Sequence, residues 1–205
     1  MPYGIAAHHR TGVYLKMLEL NFTPFPELTT SRLLLRQQTV ADRHDLFYLR
    51  SHPDIMHFIP RPLHRNLDDT LQFIEMLNTG IANRELIHWV ITMAEQPAKV
   101  IGCIGYVRMK KEHYRAEAGY LLHDQYRGKG IMQEALQAVL RYGFHVMRLH
   151  SVEAVIDPAN AASAAVLEKG GFTREGYFRE DFFYNGAFYD TAYYSLLAKD
   201  YQARP

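Results

Sequence analysis

The segment Gln125-Tyr126-Arg127-Gly128-Lys129-Gly130 carries the most chemistry in this chain. Two glycines one residue apart open backbone conformations closed to other residues, so successive N–H groups can turn toward one point. A helical pattern starts directly afterwards, and a helix start adds unpaired N–H groups and the positive end of its dipole. Together these make an anion site suited to a pyrophosphate. Arg127 and Lys129 add charge to it. The spacing is neither the G-x-x-x-x-G-K-S/T of a P-loop nor the G-x-G-x-x-G of a dinucleotide fold. The plainer alternative is a tight turn with two solvated cations.

A second segment runs from Asp157-Pro158-Ala159-Asn160 through Ser163 to Gly170-Gly171-Phe172. Asn160 is a competent helix N-cap. Ala161–Ala165 gives a slim helix face against which a ligand chain could lie. Ser163, one turn in, is either filler or a hydroxyl facing that ligand. Glu180 and Asp181, among many tyrosines and phenylalanines, either hold a cationic amine or are surface charges. The aromatic residues around them read as core or groove wall. Cys103 lies in the apolar run Val100–Ile104 and reads as a packed core thiol, because reactive thiols need an electropositive, accessible setting. The histidines, among them His8, His9, His52, His57 and His64, show no ligand frame with Cys, Asp or Glu at a recognised spacing, so no metal is expected. No Ser/His/Asp or Cys/His set stands out for nucleophilic catalysis.

These residues need elements to hold them. Residues 1–27 read as an N-terminal extension, with Val13–Leu20 a short helix or strand and a proline-broken stretch after it. The domain proper, 28–205, opens on a strand at Ser31–Arg36. Thr39 and Asp42 form a capping-box-like pattern ahead of a helix that is expected to stop before Pro53. Asn66 or Asp68 starts a second helix. His88–Met93, Val100–Val107 and Arg115–Leu122 read as strands of an antiparallel meander. Side chains alternate on a strand, so Glu117, Gly119 and Leu121 share a face. The glycine-bearing turn follows, then a helix with an apolar stripe from Ile131 to Phe144. Val152–Ile156 is a short buried strand, Asn160 opens the next helix, and Asn185-Gly186 marks a closing hairpin. The class is α/β (α+β).

Length and composition bound the function. The chain has 205 residues, 48% hydrophobic and 22% charged, which suits one domain with a sizeable core. Net charge of +1 gives no electrostatic case for a nucleic-acid or membrane binder. A single cysteine excludes an intrachain disulfide framework and suits a reducing cytoplasm. No signal-peptide pattern opens the chain, and no apolar run approaches a spanning helix.

The two motif segments together resemble the GNAT superfamily of N-acetyltransferases. The pyrophosphate motif of that family, Gln/Arg-x-x-Gly-x-Gly/Ala, is matched by Gln125, Gly128 and Gly130. Within the superfamily the chain is most similar to the branch of ribosomal-protein N-terminal (alanine/serine) acetyltransferases. Leu28–Leu33 matches Leu-Thr-Thr-x-Arg-Leu, Glu117–Tyr120 matches Glu-x-Gly-Tyr, and Gly128–Ala135 matches Gly-Lys-Gly-x-x-x-Glu-Ala. Asn160–Ser163, Glu168–Phe172, Asn185-Gly186, Asp190 and Tyr194 continue the pattern. The resemblance spans about Leu28 to Tyr201.

The resemblance implies a GNAT fold: a mixed, mostly antiparallel central sheet flanked by helices, with a splayed parallel strand pair at the acyl-CoA site. It implies acetyl-CoA as acyl donor, no metal, and an amine acceptor that is a protein N-terminus or a small molecule. Backbone groups near Leu121 and Leu122 would pair with the pantetheine amides. N–H groups from Arg127 through Gly128, Lys129, Gly130 and Ile131 to Met132 would hold the pyrophosphate. Asn160 would bind the pantetheine arm, with Ser163 near the thiol or pyrophosphate arm. The attacking amine must be neutral, a modest demand for an α-amine of pKa about 8 and a larger one for a lysine of about 10.4. Glu117 is the candidate base, directly or through water. Its plainer role is a cross-strand partner for Arg108 or Arg115. The usual acid, a tyrosine in the Asn160 helix, is replaced by Leu167, which leaves Ser163 and, more weakly, Tyr194. A small-amine acetyltransferase and a non-catalytic acyl-CoA-binding module are the competing readings, and the assembly is a monomer or homodimer.

Overall fold

Strand pairing places every element that matters to the site. The computed structural model describes Leu18 and residues 20–202. Most of the Val13–Leu20 run, together with His8 and His9, lies outside the described residues. The chain runs β1 (Leu28–Thr29), β2 (Leu33–Arg36), α1 (Arg43–Ser51), α2 (Pro53–Met56), α3 (Leu67–Ala82), β3 (Ile87–Met93), β4 (Gln96–Lys110) and β5 (Arg115–Leu122). It continues as α4 (Ile131–Arg141), β6 (Ser151–Ile156), α5 (Ala161–Gly170), β7 (Thr173–Tyr184), β8 (Ala187–Leu197) and α6 (Ala198–Gln202). One eight-stranded sheet results, in the order β1-β2-β3-β4-β5-β6-β8-β7. All neighbouring strands are antiparallel except β5 and β6.

The two faces of the sheet are covered by different helices. On one side α4 buries Ile131, Met132, Ala135, Leu136, Val139 and Leu140, the stripe expected from its period, against Leu33, Leu35, Trp89 and Ile104. Each of the larger side chains among them, Ala135 aside, contributes about 1.5–3 kcal/mol when fully buried. Leu20 and Phe22 also enter this core, and the Trp89 indole N–H donates to the Pro26 carbonyl at 2.7 Å. On the other side Leu46 and Leu49 of α1, Ile55 of α2 and Ile74 of α3 pack on Val90, Val100 and Cys103.

Local signals behave largely as their chemistry dictates. The Asn66 side chain caps α3 by accepting the Asp69 N–H, and Asn185-Gly186 turns the last hairpin with both residues at positive φ. Asp42 accepts the Thr39 N–H at 2.7 Å. Pro53 lies outside α1, which stops at Ser51 as expected. It opens α2 at the first helical position, where its missing N–H costs nothing. β4 is longer than the apolar run within it, because its polar ends still pair with β3 and β5. The α4 helix closes into a wider turn at Tyr142–Val146, which carries Phe144 into the core.

Candidate active site

The site begins where two strands part. β5 and β6 pair in parallel only over Arg115↔Ser151, Ala116↔Val152 and Glu117↔Glu153. Beyond that point β5 stays paired to β4 as far as Gly102↔Leu122, while β6 stays paired to β8 as far as Ile156↔Ala192. The backbone of β5 from Ala118 to Leu122 therefore has no strand partner on its β6 side. Unpaired backbone polar groups require partners. An extended amide-bearing ligand lying in the cleft would supply them, as an added strand does at a sheet edge.

Glu117 stands at that fork, the last residue of β5 that pairs with β6. Arg108 lies directly opposite it on β4, with Nη1 3.0 Å from Oε2. The distance is short, but no N–H is aimed along it: Oε2 is buried and receives no hydrogen bond. Burial raises the Glu117 carboxyl above its usual range, Arg108 pulls it down, and the neighbouring Glu153 pushes it up. Glu153 is itself held by Lys110 at 2.8 Å and Arg115 at 2.7 Å. The structure shows the cross-strand reading of Glu117, and the carboxylate keeps features that a base needs. Glu117 is the partner of Arg108, Arg115 being engaged with Glu153, and it is a carboxylate with a free lone pair and an elevated affinity for protons.

The sign of the Arg108 contribution sets a test. Removing the cation in Arg108→Gln removes the strongest of the forces that hold the carboxyl down, so the carboxyl should hold its proton to higher pH. The acid limb of a kcat–pH profile is expected to move to higher pH than in the unaltered protein. A limb that stays in place would show that Glu117 does not govern it.

The glycine-bearing turn has the shape of a cradle. Gly128 and Gly130 both sit at φ +72, a conformation that side chains rarely adopt. Gly130 is the N-cap of α4, whose first helix bond runs from the Glu134 N–H to the Gly130 carbonyl. The N–H groups of Gly128, Lys129 and Gly130 have no backbone acceptor among the described residues. Ile131 and Met132 bury their side chains, so only their N–H groups face the cradle. Arg127 fits the expected role less well. Its N–H donates to Asp124, and its guanidinium reaches the Asp54 carbonyl at 3.2 Å. Lys129 holds its ammonium 5.5 Å from the Tyr126 ring centroid. Gln125 belongs to the short turn that leads in.

A clamp that the sequence alone does not display fixes the cradle from behind. Glu134 accepts from the hydroxyls of Thr30 (2.5 Å) and Ser31 (3.1 Å), from the Arg32 N–H (3.0 Å) and from the Arg32 Nε (2.7 Å). The same Arg32 donates through Nη1 to the Lys129 carbonyl at 3.1 Å. Two of the motif segments, Leu28–Leu33 and Gly128–Ala135, are therefore the two halves of one contact.

Asn160 caps α5 by accepting the Ser163 N–H at 3.0 Å, which leaves its amide NH₂ unengaged. Ser163 is buried, and its hydroxyl lies 2.8 Å from the Tyr120 hydroxyl. Burial pushes the Tyr120 phenol up to about 12, so it stays protonated and can donate. The sequence alone gives Tyr120 no role beyond its place in the Glu-x-Gly-Tyr pattern. Tyr120 supplies the aromatic hydroxyl that Leu167 does not. Tyr194 points elsewhere, toward Glu168 at 3.4 Å, and lines neither cavity described next.

Two cavities meet at Glu117. One, of about 380 Å³, contains Gly119, Tyr120, Leu121, Asn160 and Ser163 and extends under α3. The other, of about 500 Å³, lies between the segment Met56–Leu63 and the β7–β8 hairpin, and Asp157, Asp181, Asp190, Phe182 and Tyr189 line it. Asp181 accepts the Thr191 hydroxyl, and Asp190 accepts the Glu180 N–H and the Tyr177 hydroxyl, so both acids are tied into the bulge of β7. Glu180 sits at that bulge with φ 52 and lines neither cavity.

Comparison with known proteins gives this geometry its family. The profile of the acetyltransferase (GNAT) domain matches residues 32–173. This chain is a GNAT acetyltransferase. The N-acetyltransferase p20 of Bacillus licheniformis is 31% identical over 178 residues, 85% of this chain and 97% of that one. The ribosomal-protein-S5-alanine acetyltransferase of Vibrio fischeri superposes with a TM-score of 0.75 at 23% identity, covering 88% of this chain and 100% of that one. Spermidine N-acetyltransferase of Vibrio cholerae, solved with CoA and spermine, gives 0.74 at 24%, covering 84% and 99%. As a GNAT N-acetyltransferase the chain uses acetyl-CoA as its acyl donor. The acceptor is not fixed by membership, since the two structural neighbours bear different acceptor names.

Proposed function

We propose that this acetyltransferase acetylates the α-amino group of a peptide or protein, with Glu117 as base. The parting of β5 and β6 at Glu117 carries the reading, because it puts a free strand edge and a proton-hungry carboxylate at one place. Acetyl-CoA supplies the thioester. The N–H groups of Gly128 to Met132 hold its pyrophosphate, with Gln125, Arg127 and Lys129 around them. The β5 backbone at Leu121 and Leu122 pairs with the pantetheine amides, and the Asn160 amide reaches the same arm.

Glu117 takes a proton from the incoming ammonium, directly or through water, and the neutral nitrogen attacks the carbonyl carbon. A new C–N bond forms, and a β5 backbone N–H stabilises the developing oxyanion. The C–S bond then breaks. Ser163, paired with the Tyr120 hydroxyl, relays a proton to the departing sulfur and is restored as the nitrogen gives up its second proton through water, and Glu117 later returns its own proton to solvent. An α-amine suits a carboxylate base better than lysine does, because its pKa of about 8 leaves less to remove.

The groove beside the β7–β8 hairpin supports a chain-like acceptor, being open at the surface and walled by Phe182 and Tyr189. A polyamine is the second reading, favoured by the acids Asp157, Asp181 and Asp190 on the rim. It is weakened by the engagement of Asp181 and Asp190 within the hairpin. The test is acetyl transfer from acetyl-CoA to short peptides with free N-termini, to the same peptides blocked at the N-terminus but carrying lysine, and to spermidine. Mass spectrometry is expected to find acetyl on the free α-amine. Transfer only to spermidine, or only to lysine, would overturn the reading.

A further inference from the structure

Arg50, in the last turn of α1, is a partly buried cation without a counter-ion among the described residues. Its guanidinium carbon lies 4.8 Å from the Phe73 ring centroid, and its Nε is buried with no hydrogen-bond partner. No acid forms an ion pair with it among the described residues. The groups whose charge it feels are Arg61 and the Cys103 thiol. Neither relieves it, since Arg61 repels and burial pushes the thiol up to about 12. His88 is driven down to about 3 by burial and by Arg50, and His64 is lowered by the same two causes, so both rings are neutral. An arginine stays protonated in proteins. A charge drawn out of water and left unpaired is costly, so such groups are found with partners.

The place where Arg50 lies supplies the reason for it. Arg50, Phe73, His88 and Cys103 line the smaller cavity, whose other end holds Glu117, Tyr120 and Ser163. Glu117 is the one acid in that lining. Cys103 pairs with Leu121, four residues along β5 from Glu117, which is about 13 Å of strand. Between them stands Gly119, whose missing side chain lets Val107 close in, with its methyl group 3.1 Å from where a Cβ would stand.

We infer that the acceptor carries an anionic group, a carboxylate or phosphate several bonds from its amine, and that Arg50 binds this group while the amine lies at Glu117. The inference rests on the proposed reaction and names the acceptor class for it. It also disfavours a polyamine, which would bring a second cation to Arg50.

The test uses the protein saturated with CoA and a ladder of ω-aminocarboxylates of increasing chain length, each beside its neutral carboxamide. Binding is read by calorimetry and turnover with acetyl-CoA separately. A carboxylate is expected to bind about tenfold to a hundredfold more tightly than its amide, with an optimum well beyond glycine. Arg50→Gln should abolish that preference, and Arg50→Lys should restore part of it. Arg50→Met checks folding, because an apolar chain in that place should leave the melting temperature undiminished. Equal binding of acid and amide, or a preference that survives Arg50→Gln, would overturn the inference. So would an Arg50→Gln effect confined to acetyl-CoA affinity or to the choice between acetyl- and succinyl-CoA, since Arg50 would then serve the donor. Arg50-dependent binding without any acetyl transfer would instead leave the anion site standing and overturn the proposed reaction.

Discussion

Glu117→Gln is expected to lower turnover about a hundredfold to a thousandfold, the range general-base catalysis supplies, while acetyl-CoA binds as before. The amide matches the carboxylate in size and still meets Arg108, so the fork of β5 and β6 should keep its shape. What it loses is the ability to take a proton. Calorimetry with acetyl-CoA beside steady-state acetyl transfer separates the two properties. Loss of turnover with retained binding identifies Glu117 as the base. Unchanged turnover would assign the carboxylate to the Arg108 pair alone, and the amine would then lose its proton to bulk water.

Gly128→Glu should abolish acetyl-CoA binding, with a loss of at least about a hundredfold, or close to 3 kcal/mol. A side chain added at Gly128 meets nothing within 4 Å, so it would not be forced into the core and would stand over the cradle. The carboxylate would then oppose the pyrophosphate where the N–H groups converge. The backbone cost of holding a side chain at φ +72 is about 1–2 kcal/mol, enough to lower the melting temperature but not to unfold the domain. Gly128→Ala is the control: it carries the backbone cost without the charge, and should bind more weakly than the unaltered protein but far better than Gly128→Glu. Equal binding by all three would place the pyrophosphate elsewhere.

How much of this was legible in the sequence depends on the range of the interaction involved. The cradle was, because two glycines between a strand and a helix are a local signal. So was the closing hairpin, where Asn185-Gly186 specifies its own turn. The alternation of Arg115–Leu122 put Glu117, Gly119 and Leu121 on one face. The site depends further on register, which alternation does not encode. Nothing local to β5 states that β6 leaves it after Glu117, since that point is set by how Ser151–Ile156 pairs with Thr191–Leu197 on its other side. The Tyr120–Ser163 contact joins positions 43 residues apart, and the Arg32–Glu134 clamp joins positions 102 apart. Arg50 is illegible in the sequence for the opposite reason. An arginine in the last turn of an amphipathic helix reads as an ordinary favourable charge near the dipole's negative end, and only the packing of α3 over it removes its water.

The clamp at Glu134 has a thermodynamic consequence. The segment Thr30-Ser31-Arg32 is the turn between β1 and β2, at the outer edge of the sheet, where amides open most easily. Glu134 and the Lys129 carbonyl tie that turn to the very loop proposed to hold the pyrophosphate. A ligand that binds only the ordered loop must also favour the closed edge, by an amount that grows with the logarithm of its concentration. Occupancy of the donor site would then be written into hydrogen-exchange rates at the β1–β2 turn, far along the chain from any residue that touches the thioester.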